Sequence, residues 1–150
     1  MFKFEKMIAW QKGVDFADKA FDIADRLPQR LQYSISDQLR RAALSVTNNL
    51  AEGSGRRSPG NRRNFYDIAK GSVYEVVSVL AIALRRKQIT RAEFDQFYRL
   101  GDELASIISG LIDATFREED TRTNSSHTLR EDSADYAVVD LSHSNSKASL

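Results

Sequence analysis

The chain contains no cysteine and only two histidines, His127 and His143, both near its C-terminal end. Disulfide bonds and thiolate chemistry are therefore excluded, and a reducing compartment is compatible with the composition. The residues before 118 offer no imidazole or thiol that could act as a nucleophile, a general base or a zinc ligand. We therefore expect no enzymatic activity, no metal site and no cofactor.

Long apolar runs are also missing. No stretch approaches the roughly 20 apolar residues that a membrane-spanning helix requires. Residues 1–16 mix charged and apolar side chains and have no apolar segment of the signal-peptide type. We therefore expect a cytoplasmic protein without a membrane partner.

Proline occurs only twice, and both positions fit helix boundaries. Apolar residues recur at intervals of three and four, which predicts helices over about Ile8–Arg26, Ser36–Ala51 and Pro59–Lys87, and a fourth from Thr90. Pro28 follows the first helix, and Ser58 and Pro59 are typical of the N-cap and first residue of the third. Gly53 is predicted to end the second helix in a left-handed conformation.

Four helices with short connections predict an all-α fold, an antiparallel up-down-up-down four-helix bundle. We assign residues 1–117 to the bundle and residues 118–150 to a disordered acidic tail, because the later segment is rich in Ser, Thr, Asp and Asn. The bundle region carries a net charge of +5 and the tail −4. A basic body favours a polyanion partner such as nucleic acid.

Arginines cluster between positions 38 and 63, where six of them accompany one acid, Glu52. The expected nucleic-acid-binding residues are these six: Arg40, Arg41, Arg56, Arg57, Arg62 and Arg63. The last four flank the start of the third helix, where cations oppose the helix dipole, so fold stability does not explain them. A docked phosphate would meet guanidinium groups and free backbone N–H groups together, whereas the simpler interpretation is a solvated basic surface.

Polar residues interrupt the apolar seams of the second and third helices. Asn49, Glu52, Ser72 and Glu75 are predicted to form a structural network that fixes helix register. Within it, Glu75 is expected to be a buried carboxylate with a partner across the helix contact.

Aromatic residues open the chain, at Phe2, Phe4 and Trp10. They could pack under the bundle end, form a subunit interface or stack on bases, and interface use is favoured over stacking. The first and fourth helices also carry more apolar positions than one small bundle needs, which favours a homo-oligomer.

By the order and spacing of several short motifs, the chain resembles the bacterial four-helix-bundle proteins encoded in 23S rRNA intervening sequences. The resemblance runs from about Phe4 to Leu111 and lies in Ala9-Trp10-Gln11, Leu27-Pro28, the segment from Gln38 to Val46, the segment from Asn49 to Gly53, Arg57-Ser58, Phe65, and the segment from Ala69 to Glu75. The family is more distantly similar to accessory proteins of diversity-generating retroelements, which work with a reverse transcriptase. The resemblance implies an antiparallel four-helix bundle, a homopentamer and RNA association, and it supplies no set of catalytic residues to carry over.

Two functions follow as hypotheses. The first is a non-enzymatic, oligomeric RNA-binding protein, an accessory to an rRNA intervening sequence or to a reverse transcriptase. The alternative is a protein-interaction scaffold whose arginines bind an acidic protein or the chain's own acidic tail.

Overall fold

Helices account for nearly all of the computed structural model, which describes residues 1–141 and the side chains of residues 1–125. The long helices are α1, Ile8–Arg26; α2, Asp37–Ser54; α3, Pro59–Arg85; and α4, Arg91–Leu141. Shorter helical turns occupy Lys3–Lys6, Gln29–Leu31 and Gln32–Ser36. Residues 1–141 contain no β-strand, so the predicted all-α, four-helix fold is confirmed.

Local capping signals set the starts of α3 and α4 where the sequence predicts them. The Ser58 hydroxyl accepts a hydrogen bond from the Asn61 N–H at 3.4 Å, with Pro59 as the first helical residue. At α4, the Glu93 N–H donates to the Thr90 hydroxyl at 3.2 Å, and the Thr90 N–H donates to the Glu93 carboxylate at 2.7 Å. This reciprocal pair is the predicted capping box.

Gly53 does not end α2, and the prediction of a left-handed terminator there is wrong. The helix continues to Ser54, and no glycine of the described residues has a positive φ. Gly53 is buried, and a Cβ at this position would lie 2.7 Å from Cε1 of Tyr66 and 3.0 Å from Cβ of Phe65. Glycine is required here because α3 packs directly against the backbone of α2.

The core is a single layer of apolar side chains between the helices. Its largest fully buried members are Leu39, Val46, Leu50, Val73, Val76, Leu80, Leu104 and Ile108. On α1 the buried face centres on Phe16, Ala20 and Ile23, while Val14 is 38% exposed and Trp10 is half-buried. Trp10 and Val14 therefore lie at the edge of the buried face.

Contacts between neighbouring helices establish their relative directions. In each pair of neighbouring helices, the residue numbers of the contacts rise along one helix as they fall along the other. The contacts are Asp25–Arg40 and Gly13–Leu50 between α1 and α2, Ser45–Ser72 and Gly53–Tyr66 between α2 and α3, and Val77–Gly101 and Arg62–Glu118 between α3 and α4. Each consecutive pair is thus antiparallel.

Helix α4 passes the boundary that the sequence places at residue 117. It continues to Leu141, and Glu118 and Glu119 contact arginines of α3. The acidic segment therefore begins within α4, and its first residues pack on the bundle. The disorder predicted for the tail stays a prediction, and residues 142–150 lie outside the described part of the chain.

Candidate nucleic-acid interface

The turn between α2 and α3 brings four of the predicted arginines together at one end of the bundle. Arg56 and Arg57 lie in the turn and are exposed. The Arg62 guanidinium donates to the backbone carbonyls of Arg56 and Arg57, at 3.2 and 3.1 Å. Arg62 thereby satisfies two carbonyls of the turn and holds its shape, so one of the predicted binding residues has a structural role.

Arg62 and Arg63 are also tied to α4. Arg62 forms an ion pair with Glu118, and its side chain is only 14% exposed. Arg63 donates to Glu119 at 3.0 Å, lies over the Phe116 ring at 4.0 Å from its centroid, and is 21% exposed. Charge pairing and stacking on an aromatic face join α3 to α4 here. These contacts supply the structural reason for Arg62 and Arg63 that the sequence alone did not provide.

Arg56 and Arg57 remain accessible from solvent. Arg56 pairs with Glu52 one helical turn earlier and lies over the Phe65 ring at 4.9 Å. The Arg57 side chain has no ion pair or hydrogen bond to any residue that the structure describes. An exposed ion pair four residues apart contributes little to stability, so Arg56 can exchange its partner for an external anion.

Arg40 and Arg41 lie far from this turn. They occupy the first turns of α2, roughly 24 Å along the helix axis from Arg56 at 1.5 Å per residue. Arg40 pairs with Asp25 at 2.7 Å, and Arg41 pairs with Asp37 at 3.0 Å. The six arginines that are close in sequence therefore form two separate groups, and the group near the start of α2 is balanced by acids.

A short polar network joins α2 to α3, and Ser45 is its centre. The Ser72 hydroxyl donates to the Ser45 hydroxyl at 2.8 Å, and the Asn49 amide donates to the Ser45 hydroxyl at 3.0 Å and to the Ser45 carbonyl at 2.8 Å. Asn49 and Ser72 thus lie in one network, as predicted. Ser45 was not predicted to belong to it, although it lies one turn before Asn49 on the same face.

Glu52 and Glu75 lie outside this network. Glu52 pairs with Arg56 on the surface, and Glu75 accepts a hydrogen bond from the Gln38 amide. Glu75 is exposed, so the expectation of a buried carboxylate is wrong. Its position on the apolar seam of α3 is at the rim of the α2–α3 contact, where a carboxylate keeps its hydration.

Tyr66 lies beneath the turn, with its ring against Gly53. Burial raises the pKa of the Tyr66 phenol above its ordinary value of 10.0, and the nearby Arg62 charge opposes that rise. The phenol is therefore neutral at physiological pH, and its ring packs against Gly53.

The described part of the chain contains no group of three or more His, Asp or Glu residues that could hold a metal ion. Within the same residues, no helix combines the length and the apolarity needed to cross a bilayer.

The same fold occurs in a known crystal structure. A crystal structure of a protein with unknown function, from the S23 ribosomal protein family of Bacteroides thetaiotaomicron VPI-5482, matches with a TM-score of 0.66 and 20% sequence identity. The match covers 71% of this chain and 96% of that chain, and at this identity it shows the fold alone. None of the curated proteins matches the chain.

The family model described as "23S rRNA-intervening sequence protein" matches residues 5–110. This range is more than half of the chain and includes α1, α2, α3 and residues 91–110 of α4. It confirms the family that the motifs indicated. The chain therefore belongs to the 23S rRNA-intervening sequence protein family.

Proposed function

We propose that the protein binds RNA through the α2–α3 turn and has no catalytic activity. The observation that carries the proposal is the pair of exposed guanidinium groups, Arg56 and Arg57, on a bundle region with a net charge of +5. Arg57 immediately precedes the N-cap Ser58, where a cation opposes the dipole of α3. With no intramolecular partner to offset that cost, a phosphate is the group that fits the position.

Membership of the family supports an rRNA-related role. The resemblance of the motifs adds two settings to the proposal, an association with an rRNA intervening sequence or with a reverse transcriptase. The protein would act in the cytoplasm in either setting.

Self-association is the second part of the proposal. Large apolar side chains are exposed on the outer faces of the helices, namely Ile8, Leu44, Ile68, Tyr74, Ile82 and Tyr98. Ile68, Tyr74 and Ile82 all belong to α3, which makes α3 the leading interface helix, beside the surplus of apolar residues expected on α1 and α4. The number five comes from the family resemblance. Light scattering of the purified full chain tests it, and a monomer would contradict this part.

The RNA proposal is tested by changing the turn while leaving the fold intact. The double variant Arg56→Gln/Arg57→Gln removes two exposed cations, and a labelled RNA stem–loop serves as the probe. Each lost phosphate contact should lower the slope of log affinity against log salt by about 1. We expect a clearly weaker complex, with circular dichroism unchanged.

A matched control removes the same charge elsewhere. Lys19 and Arg99 lie within α1 and α4, away from the turn, and are exposed without ion pairs to described residues. Lys19→Gln/Arg99→Gln should retain nearly all of the affinity. If both double variants bind like the wild type, the turn is not the site; if both weaken equally, binding follows net charge alone.

The chain's own acidic segment is a second candidate partner, and one observation favours it. Glu118 and Glu119 already neutralise Arg62 and Arg63. In that case the segment competes with RNA for Arg62 and Arg63, at the start of α3 beside the turn. Glu118→Gln/Glu119→Gln should then raise RNA affinity at low salt, and an unchanged affinity would exclude the competition.

A further inference from the structure

The aromatic residues at the start of the chain form a stack against the bundle. The Phe2 and Phe4 rings are nearly parallel, 7° apart with centroids at 5.6 Å. Phe4 in turn contacts Trp10 at 4.9 Å with a tilt of 56°. The inner rings are half-buried, whereas Phe2 at the outer end is 70% exposed. Packing under the bundle end therefore accounts for Phe4 and Trp10 and leaves the face of Phe2 unused.

A groove adjoins this stack and leads to the α2–α3 turn. Phe4 forms one wall, α2 contributes Asn48, Ala51 and Glu52, and Gly55 and Arg56 close the far end. The groove is open to solvent, with a volume of about 530 Å³, within the range of roughly 300–1,000 Å³ that small-molecule sites occupy. It connects an aromatic surface with one of the two accessible arginines of the turn.

Polar and charged groups around the groove are available for a ligand. The exposed Asn48 amide has no hydrogen-bond partner among the described residues. Lys3 and Lys6, in the helical turn that carries Phe4, are exposed without ion pairs to those residues, and Arg57 adjoins Arg56 at the other end. Two carboxylates oppose them: Glu52 is paired with Arg56, and Glu5, between Lys3 and Lys6, accepts a hydrogen bond from the Phe2 N–H at 3.2 Å. The balance around the groove is cationic, as an anionic ligand requires.

We propose that an unpaired RNA nucleotide binds at the Phe4 wall of this groove, with its base stacked on the exposed ring of Phe2, which lies against Phe4 outside the groove lining, and its phosphate held by Arg56 and Arg57. The inference rests on the proposed RNA-binding function and specifies its substrate as single-stranded or looped RNA. Proteins that bind unpaired RNA combine an aromatic ring for the base, an amide for its edge and cations for the backbone. Bases inside a duplex are stacked on each other and are not accessible to Phe2.

The first arm of the test compares two RNA probes on the full chain. One is a mixed-sequence single strand of about ten nucleotides, a length within the site sizes of single-strand-binding proteins, and the other is the same strand annealed to its complement. The single strand should bind more tightly. It should also change the fluorescence of Trp10, the only tryptophan, which contacts the groove wall formed by Phe4.

The second arm removes the outer ring. Phe2→Ala should weaken binding of the single strand at least about fivefold, the lower end of what one base–aromatic stack contributes. Duplex affinity and circular dichroism should stay unchanged. Tyr33→Ala is the matched control, because Tyr33 is 90% exposed and precedes α2 at the end away from the turn; it should bind like the wild type.

The outcomes separate this inference from the proposed function. If the wild type binds neither probe nor the stem–loop, the RNA-binding function fails, and the inference fails with it. If Arg56→Gln/Arg57→Gln weakens binding but Phe2→Ala does not, the turn binds RNA and the stacking site is refuted. If Phe2→Ala changes the molecular mass of the particle and leaves the affinity intact, the aromatic stack is a subunit interface, which also overturns the inference.

Discussion

Gly53→Ala adds one methyl group at the contact that holds the α2–α3 turn in place. The new Cβ would lie 2.7 Å from Cε1 and 3.0 Å from Cδ1 of Tyr66, and 3.0 Å from Cβ of Phe65. Tyr66 is buried, and the Cβ of Phe65 is bonded directly to the backbone of α3, so neither group can rotate away from the new methyl group. Either the helices separate or Tyr66 leaves its rotamer.

The size of the effect follows from two opposing contributions. Overpacking a well-packed contact typically costs about 1–3 kcal/mol. Replacing glycine by alanine inside a helix returns up to about 1 kcal/mol. We expect Gly53→Ala to lower the free energy of unfolding by roughly 1–2 kcal/mol, which lowers Tm by about 2–8 °C for a chain of this size.

Two glycines without neighbours supply the controls. A Cβ at Gly71 in α3, or at Gly110 in α4, meets nothing within 4 Å. Gly71→Ala and Gly110→Ala should therefore stabilise the protein by up to about 1 kcal/mol. Chemical denaturation at equal protein concentration measures all three variants. A Gly53→Ala variant that is stabilised like the controls would refute the close packing of α2 against α3.

Three further outcomes follow from local contacts. The hydrogen bond from the Thr90 N–H is the main reason that the pKa of Glu93 lies below its ordinary value of 4.5. The ionised Glu93 carboxylate therefore stabilises the fold above pH 4.5, and this stabilisation is lost as the pH falls through the lower pKa of the folded state. Glu93→Ala should cost about 1 kcal/mol at pH 7 and progressively less in acid, as measured by urea denaturation at each pH. Lys87→Gly should raise Tm, because Lys87 has a φ of 58°, a conformation that costs a side-chain-bearing residue about 1 kcal/mol or more. Ser45→Ala should cost about 1 kcal/mol by the same denaturation assay, since Asn49 and Ser72 lose their shared hydroxyl. A pH-independent cost for Glu93→Ala, a lowered Tm for Lys87→Gly or an unchanged stability for Ser45→Ala would each contradict its expectation.

Helix starts were predictable from sequence because their signals are local. Ser58 and Thr90 each bond to a group three residues later, so the pattern of the chain contains both partners. Helix ends were less predictable. Glycine is typical of helix ends, and Gly53 was therefore predicted to end α2. Its actual role is to allow the close approach of α3, which only the tertiary packing reveals.

The arginine cluster illustrates what the sequence could not provide. Arg62 and Arg63 find their partners 56 residues later, at Glu118 and Glu119, beyond the point where the apolar repeat of the fourth helix ends. The burial of Glu75 failed as a prediction for a related reason, because helical periodicity gives a face but not the width of the contact that covers it. Arg56 and Arg57 were predicted as binding residues on charge, and of the four predicted arginines near the α2–α3 turn they are the two that the fold leaves exposed.

The measurement that tests the central proposal most directly is the salt dependence of RNA binding by the wild-type full chain and by Arg56→Gln/Arg57→Gln. Fluorescence anisotropy with the labelled stem–loop, from about 50 to about 200 mM salt, gives both slopes of log affinity against log salt. We predict a steep negative slope for the wild type and one shallower by about 2 for the variant, for two lost phosphate contacts. Equal slopes and equal affinities for the two proteins would contradict the assignment of the α2–α3 turn as the RNA-binding site.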